Sequence, residues 1–233
     1  YALFRILFFV LDAQAVSGVA VTWLGWMAVV AIVAGSWMAL AQTDVRRMLA
    51  YSSVGQMGFI VIGFSLGNVP AMVGGLFHLL NHAVMKGCLF LVAGGVRWRT
   101  GATTVQAYAG MGRRLPLTMA AFLVAALSMI GLPPTGGFFS KWYLLVGAVE
   151  AQAWVVIAAV IVSSALSAIY FFRVIEKAFF HASDEINPAS ERTELPGVML
   201  GPVVILALVV LLLGILNEPI VTHFVMHALP PNV

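Results

Sequence analysis

Charge, cysteine and cofactor motifs are what this chain has least of. Only 9% of its 233 residues are Asp, Glu, Lys or Arg, against about 25% in a soluble domain. That scarcity excludes a water-solvated globular fold and leaves a bilayer as the solvent; the mean hydropathy of +1.02 points the same way. Cys88 is the only cysteine, and one thiol cannot build a disulfide framework, a thiolate metal cluster or an iron–sulfur site. Glycine-rich cofactor motifs and haem-ligand patterns are also lacking, so no cofactor and no redox chemistry are expected of the chain itself. A net charge of +3 is too small to imply a nucleic-acid partner.

What is abundant is apolar sequence, in runs long enough to cross a hydrocarbon core roughly 30 Å thick, for which a helix needs about 20 residues. Bounded by charges and by Gly or Pro, these runs predict helices at 18–42, 46–66, 71–96, 116–150, 153–180 and 197–216. Residues 1–11 read as the end of a helix whose start is missing, so the chain is expected to be a fragment or one piece of a split subunit. An acidic loop is expected at 181–196 and a tail at 217–233. The run 116–150 is too long for one straight crossing, and Gly131-Leu-Pro-Pro-Thr-Gly-Gly137 interrupts it. Two half-helices are expected there, with Gly131, Pro133, Pro134, Gly136 and Gly137 as the break. Pro133 and Pro134 remove two donors and free the carbonyls four residues back, those of Met129 and Ile130. Non-helical backbone at that depth survives only against protein or a hydrated cavity.

Of the 12 Lys and Arg, Arg5, Lys86 and Lys141 fall within the apolar runs. The other nine are Arg46, Arg47, Arg97, Arg99, Arg113, Arg114, Arg173, Lys177 and Arg192, and with these spans they all fall on one side. The positive-inside rule makes that side cytoplasmic. The C-terminal tail, with Glu218, His223 and His227, is then expected on the outer side.

Ionisable groups inside apolar helices are expensive and therefore candidates for function. His78, His82 and Lys86 recur at i, i+4 and i+8, on one helix face with about 6 Å of rise per step. Imidazole, imidazole and amine at such intervals need only a bridging water to pass a proton. The competing reading is structural: each group caps a carbonyl or bridges helices. Lys141 follows the break directly. If a half-helix restarts near Gly137, Lys141 falls in its first turn, where the helix dipole disfavours a cation and release of the proton is favoured. Snorkelling to an interface is the alternative. His78 and His82 could also share a zinc ion, but the helix supplies no third ligand, and no metal is expected. His181, His223 and His227 read as interfacial. Ser163, Ser164 and Ser167 could hydrate a path, but read better as residues that let helices pack closely. Arg173, Glu176 and Lys177 read as a helix terminus with local ion pairs.

Four stretches in order carry a resemblance. They are Ala41-Gln-Thr-Asp-Val-Arg-Arg-Met-Leu-Ala-Tyr-Ser-Ser53 with Gln56-Met-Gly58, Phe77-His-Leu-Leu-Asn-His-Ala-Val-Met-Lys86, Gly110-Met-Gly-Arg-Arg-Leu-Pro116, and Gly131-Leu-Pro-Pro-Thr-Gly-Gly-Phe-Phe-Ser-Lys141. Together they resemble the proton-antiporter family of membrane subunits, shared by Mrp-type cation/proton antiporters, respiratory complex I and membrane-bound hydrogenases. The resemblance implies an all-α polytopic membrane protein built from two inverted five-helix repeats, each with a broken helix. Residues 12–180 then correspond to the second repeat and 197–216 to the last core helix. By position, Lys141 resembles the family's broken-helix lysine or glutamate, and His78, His82 and Lys86 its central relay. Asp44, Arg46, Arg47 and Ser140 are expected to support them. Arg46 falls where many members carry lysine, and arginine does not deprotonate in proteins.

The short link and single helix after Phe180 argue against the branch with a long lateral C-terminal helix. The function implied is proton translocation in a bacterial cytoplasmic membrane. It would be exchanged for Na+ in an Mrp-like assembly or driven by electron transfer in a complex I-like NADH:quinone oxidoreductase, with other membrane subunits as partners. A non-transporting scaffold subunit is the alternative.

Overall fold

In the computed structural model, residues 18–181 and 193–229 are described. Expectations for residues 1–17, for 182–192 (Arg192 included) and for 230–233 lie outside them. Helices α1 (Gly18–Leu40), α2 (Val45–Ser65), α3 (Val69–Thr100), α4 (Met111–Arg114), α5 (Pro116–Ile130), α6 (Gly136–Glu150), α7 (Trp154–Phe180), α8 (Gly197–Ile215) and α9 (Asn217–Ile220) follow in order. Five of them, α1, α2, α3, α7 and α8, are long and apolar enough to cross a membrane. α5 and α6 have 15 residues each, about 22 Å at 1.5 Å per residue, and each alone is shorter than a bilayer core.

Capping chemistry sets the ends. The Asp44 carboxylate accepts from the backbone N–H groups of Arg46 and Arg47 at 2.9 and 3.0 Å and starts α2. Asn68 starts α3 through the Ala71 N–H at 3.1 Å, with Pro70 in the first turn where its missing donor costs nothing. α3 continues past residue 96, because Arg97 and Arg99 sit comfortably in a last turn of negative polarity and Gly101, at φ 75°, supplies the left-handed cap. The loop expected at 97–115 is therefore shorter, and it contains a 3-10 turn and α4.

Side-chain size decides how the helices meet. α1 lies against α2 so closely that a Cβ on Gly35 would sit 2.5 Å from the Gly55 nitrogen; small residues permit this approach in lipid, where packing must replace hydrophobic drive. α3 is central and touches α2, α5, α6 and α8, while α7 spans α1 and α5.

Hydrogen bonds collect the basic residues at one end. Val45 donates to Thr103 and Val105 to Thr43, both at 2.9 Å, in an isolated antiparallel bridge. Gly110 donates to Lys177 and Thr193 to Arg114. The Arg173 guanidinium donates to Leu40 O at 2.7 Å and Gln42 O at 3.2 Å. This corrects the expectation of local pairing with Glu176: Arg173 instead holds the carbonyl of Leu40, the last residue of α1, and that of Gln42 just beyond it, and Glu176 approaches His181 at 3.8 Å. Glu194, in the loop read only as acidic, caps α5 by accepting from the Leu117 N–H at 2.9 Å and from the Thr118 hydroxyl.

At the other end, Asn68 Nδ2 donates to Gly147 O at 2.7 Å, and the Tyr143 hydroxyl to Asn217 Oδ1 at 3.2 Å. Residues expected as a plain tail wind into α9, a π turn and a 3-10 turn. Val221 and Val225 are buried there against Val73, Phe77 and Leu213, so apolar burial orders them.

Candidate functional site

The break between α5 and α6 is made by backbone that few residues could adopt. Gly131 ends α5 at φ 92°, a left-handed conformation open to glycine. Pro133 and Pro134 follow, and α6 restarts at Gly136. Gly137 passes so close to α5 that a Cβ there would overlap the Ser128 carbonyl, while its N–H bonds Ser128 Oγ at 3.2 Å. Overpacking of this kind costs about 1–3 kcal/mol or more. Gly137→Ala is therefore expected to lower the amount of assembled protein severalfold in membranes. Wild-type levels would show that this close approach does not hold the break.

Lys141 is buried and lies on the second turn of α6. Its Nζ donates to Met129 O and Ile130 O, both at 2.9 Å, and to Ser164 Oγ at 3.1 Å. The two carbonyls are those left without a helical donor by Pro133 and Pro134. The ammonium does not stay in the first turn of α6 as expected: the lysine stem reaches back across the break and places it at the C-terminal end of α5, where partial negative charge favours a cation. The Phe59 ring faces it at 5.2 Å.

His78 is fully buried between α2 and α6. Nε2 lies 2.8 Å from Gln56 Oε1, which calls for a proton on Nε2, and Nδ1 lies 2.8 Å from Ser140 Oγ. Ser140 has one proton and two acceptors, His78 Nδ1 and Gly137 O at 3.0 Å. It can donate to a neutral imidazole, or turn to Gly137 O when the imidazole carries both protons. The His82 ring stacks 6.3 Å from that of His78, and its buried Nε2 has no hydrogen-bond partner among the described residues.

Lys86 shares the α3 face but turns toward α2. Nζ donates to Leu49 O at 2.7 Å and to Ser52 Oγ at 2.5 Å. Neither lysine pairs with a carboxylate among the described residues. Asp44, Arg46 and Arg47 are not brought to this line; Asp44 caps α2 at the basic end by accepting from the Arg46 and Arg47 N–H groups, and the Arg46 side chain stands 3.9 Å from it. Beside them, burial first and the Asp44 carboxylate second hold the Tyr108 phenol above its usual range, with Arg46 opposing.

Several partners are absent from the sequence reading. Ser52 and Gln56 lie at i, i+4 on α2, one face by spacing. Asn81 bonds Met85 Sδ at 3.3 Å and Ser128 Oγ at 3.2 Å behind the break. Of the serines read as packing residues, Ser164 binds Lys141, Ser163 meets Ser36 at 2.6 Å and Ser167 meets Tyr170 at 3.0 Å.

Comparison with known proteins matches residues 1–167 to the family described as NADH:quinone oxidoreductase/Mrp antiporter, membrane region. NADH-quinone oxidoreductase subunit N of Desulforudis audaxviator is 50% identical over 240 residues, covering 99% of this chain and 48% of that protein. A chain of respiratory complex I from Thermus thermophilus superposes with a TM-score of 0.81 at 28% identity, over 96% of this chain and 48% of that one. A chain of the Mrp complex from Dietzia sp. superposes with a TM-score of 0.84 at 24% identity, over 95% and 48%, a likeness of fold. The chain thus spans about half the length of the relatives it matches. With the family model covering most of its residues, the chain belongs to the NADH:quinone oxidoreductase/Mrp antiporter family of membrane proteins.

Proposed function

We propose that this chain carries protons through a buried line of His78, His82, Lys86 and Lys141, as part of a multi-subunit membrane assembly. The observation behind this reading is the pair of lysines. Each is buried in an apolar bundle, without a carboxylate partner among the described residues, its ammonium held by neutral oxygens. A scaffold would be better served by apolar residues, because removing a charge from water costs several kcal/mol. Carbonyl and hydroxyl oxygens hold an ammonium without neutralising it, so the proton stays exchangeable. Ser140, able to serve either protonation state of His78, suits the same task.

The basic end then faces the cytoplasm by the positive-inside rule, and the membrane is a bacterial cytoplasmic one. Other membrane subunits complete the assembly, and protons, exchanged for Na+ or driven by electron transfer elsewhere in it, are the cargo. The 50% identical relative, a subunit of an NADH-quinone oxidoreductase, favours the redox-driven form.

The test is proton movement by the assembly carrying this chain, in energised vesicles with an internal pH dye. His78→Leu removes the imidazole and keeps an apolar side chain, and is expected to lower the flux by about threefold, well short of the full cost of a proton-transfer group, because water can bridge the gap. Full flux at equal assembly is what the scaffold reading predicts.

A further inference from the structure

The hydrogen bonds of Lys86 lead away from the imidazoles. Its Nζ meets Ser52 Oγ at 2.5 Å and Leu49 O at 2.7 Å, whereas His82 Nε2 has no partner among the described residues. From Ser52 the polar contacts go on to α7: the buried Tyr170 hydroxyl interacts with Ser52 and lies 3.0 Å from Ser167 Oγ. Ser167 and Tyr170 are almost wholly buried. One turn along α7 from Ser167 is Ser164, whose hydroxyl accepts from Lys141 at 3.1 Å. Residues three apart on a helix are side-by-side neighbours, about 5–6 Å between Cβ atoms, a gap one bridging water spans.

We infer that Tyr170, with Ser52, Ser167 and Ser164, forms a hydroxyl branch joining Lys86 to Lys141 along α7, parallel to the imidazoles of α3. The inference rests on the proton-carrying reading and names residues which that reading does not use. In each passage the Lys86 ammonium gives a proton to Ser52 Oγ, and Ser52 gives its own to the Tyr170 oxygen. Tyr170 passes its hydroxyl proton to Ser167, and through water and Ser164 a proton reaches a neutral Lys141 amine. Every hydroxyl takes one proton and gives one, so each ends neutral, and one charge has moved from Lys86 to Lys141. The hydroxyls then rotate back: Ser52 Oγ has Leu49 O at 2.9 Å as its resting acceptor, and Tyr170 and Ser167 can each donate to the other.

Tyr170→Phe removes the hydroxyl and keeps the ring that packs on Phe171 at 4.8 Å. Proton flux is measured in the whole membrane assembly at matched assembly levels for Tyr170→Phe, His82→Leu, the double variant and Lys86→Met. If the branches run in parallel, each of the first two single variants lowers flux about twofold, while the double variant loses more than about tenfold, well beyond the product of the singles. The solvent deuterium effect on flux should also change in Tyr170→Phe, which a merely structural hydroxyl would not produce. Ser167→Ala, which leaves the tyrosine intact, should reproduce the pattern should Tyr170→Phe assemble poorly. A Lys86→Met assembly with wild-type flux overturns the underlying reading. Loss of flux in Lys86→Met, with Tyr170→Phe and Ser167→Ala neutral alone and in combination with His82→Leu, overturns the hydroxyl branch only.

Discussion

Lys141→Ala is expected to reduce proton translocation by at least about tenfold; a lost proton-transfer group typically costs about a hundredfold or more. Lys141→Arg is expected to be nearly as poor. A guanidinium can donate to Met129 O and Ile130 O as the ammonium does, at 2.9 Å each, so it can satisfy the break and preserve the fold. It does not release a proton, and a carrier must. Lys141→Glu presents the opposite case. Two carbonyl oxygens repel a carboxylate but accept from a carboxylic acid, so glutamate fits this site in its protonated form and can still exchange a proton through Ser164. It should retain more flux than arginine. The measurement is proton flux in the three variants at matched assembly. Flux with arginine and none with glutamate would make Lys141 a fixed counter-charge holding the ends of the half-helices together.

Only part of such a site is legible in the sequence. The membrane-spanning, all-helical class is readable because a bilayer dictates long apolar runs, and the break is readable because Pro133 and Pro134 must leave carbonyls without donors. What fills those carbonyls is a matter of reach across space. The stem of Lys141 folds back over five residues of broken chain, and this reversed the expected dipole effect. Ser164, which completes the site, comes 23 positions later, and nothing local distinguishes it from a serine that lets helices pack.

The same holds on α3. Spacing puts His78, His82 and Lys86 on one face, but their partners depend on which helices lie beside it. Ser52 and Gln56 become partners only because α2 packs there. Arg173 went a different way from its sequence neighbours because the turn leaving α1 offers the Leu40 and Gln42 carbonyls to one planar guanidinium, a better match than an exposed glutamate.

Lys86→Met is expected to combine lost function with undiminished stability. Flux should fall at least about tenfold, since in the proposed path both the imidazole side and the hydroxyl side begin at this amine. The fold should not suffer, because methionine matches the lysine stem and removes a buried ion that no carboxylate among the described residues balances, and replacing buried charge by apolar bulk is often neutral or stabilising. Nor is a partner stranded: Leu49 O keeps the Ser52 and Ser53 hydroxyls as donors at 2.9 and 3.0 Å. By contrast His82→Leu, whose Nε2 has no hydrogen-bond partner among the described residues, should lose only about twofold in flux, in line with a gap that water can cross. Thermal unfolding of the solubilised assembly, measured beside its proton flux, separates the cases. A Lys86→Met protein that melts at or above the wild-type temperature and carries no protons identifies a residue kept for transport. One that melts early and carries protons normally would mean that Lys86 is retained for its bonds to α2, and the path would have to run elsewhere.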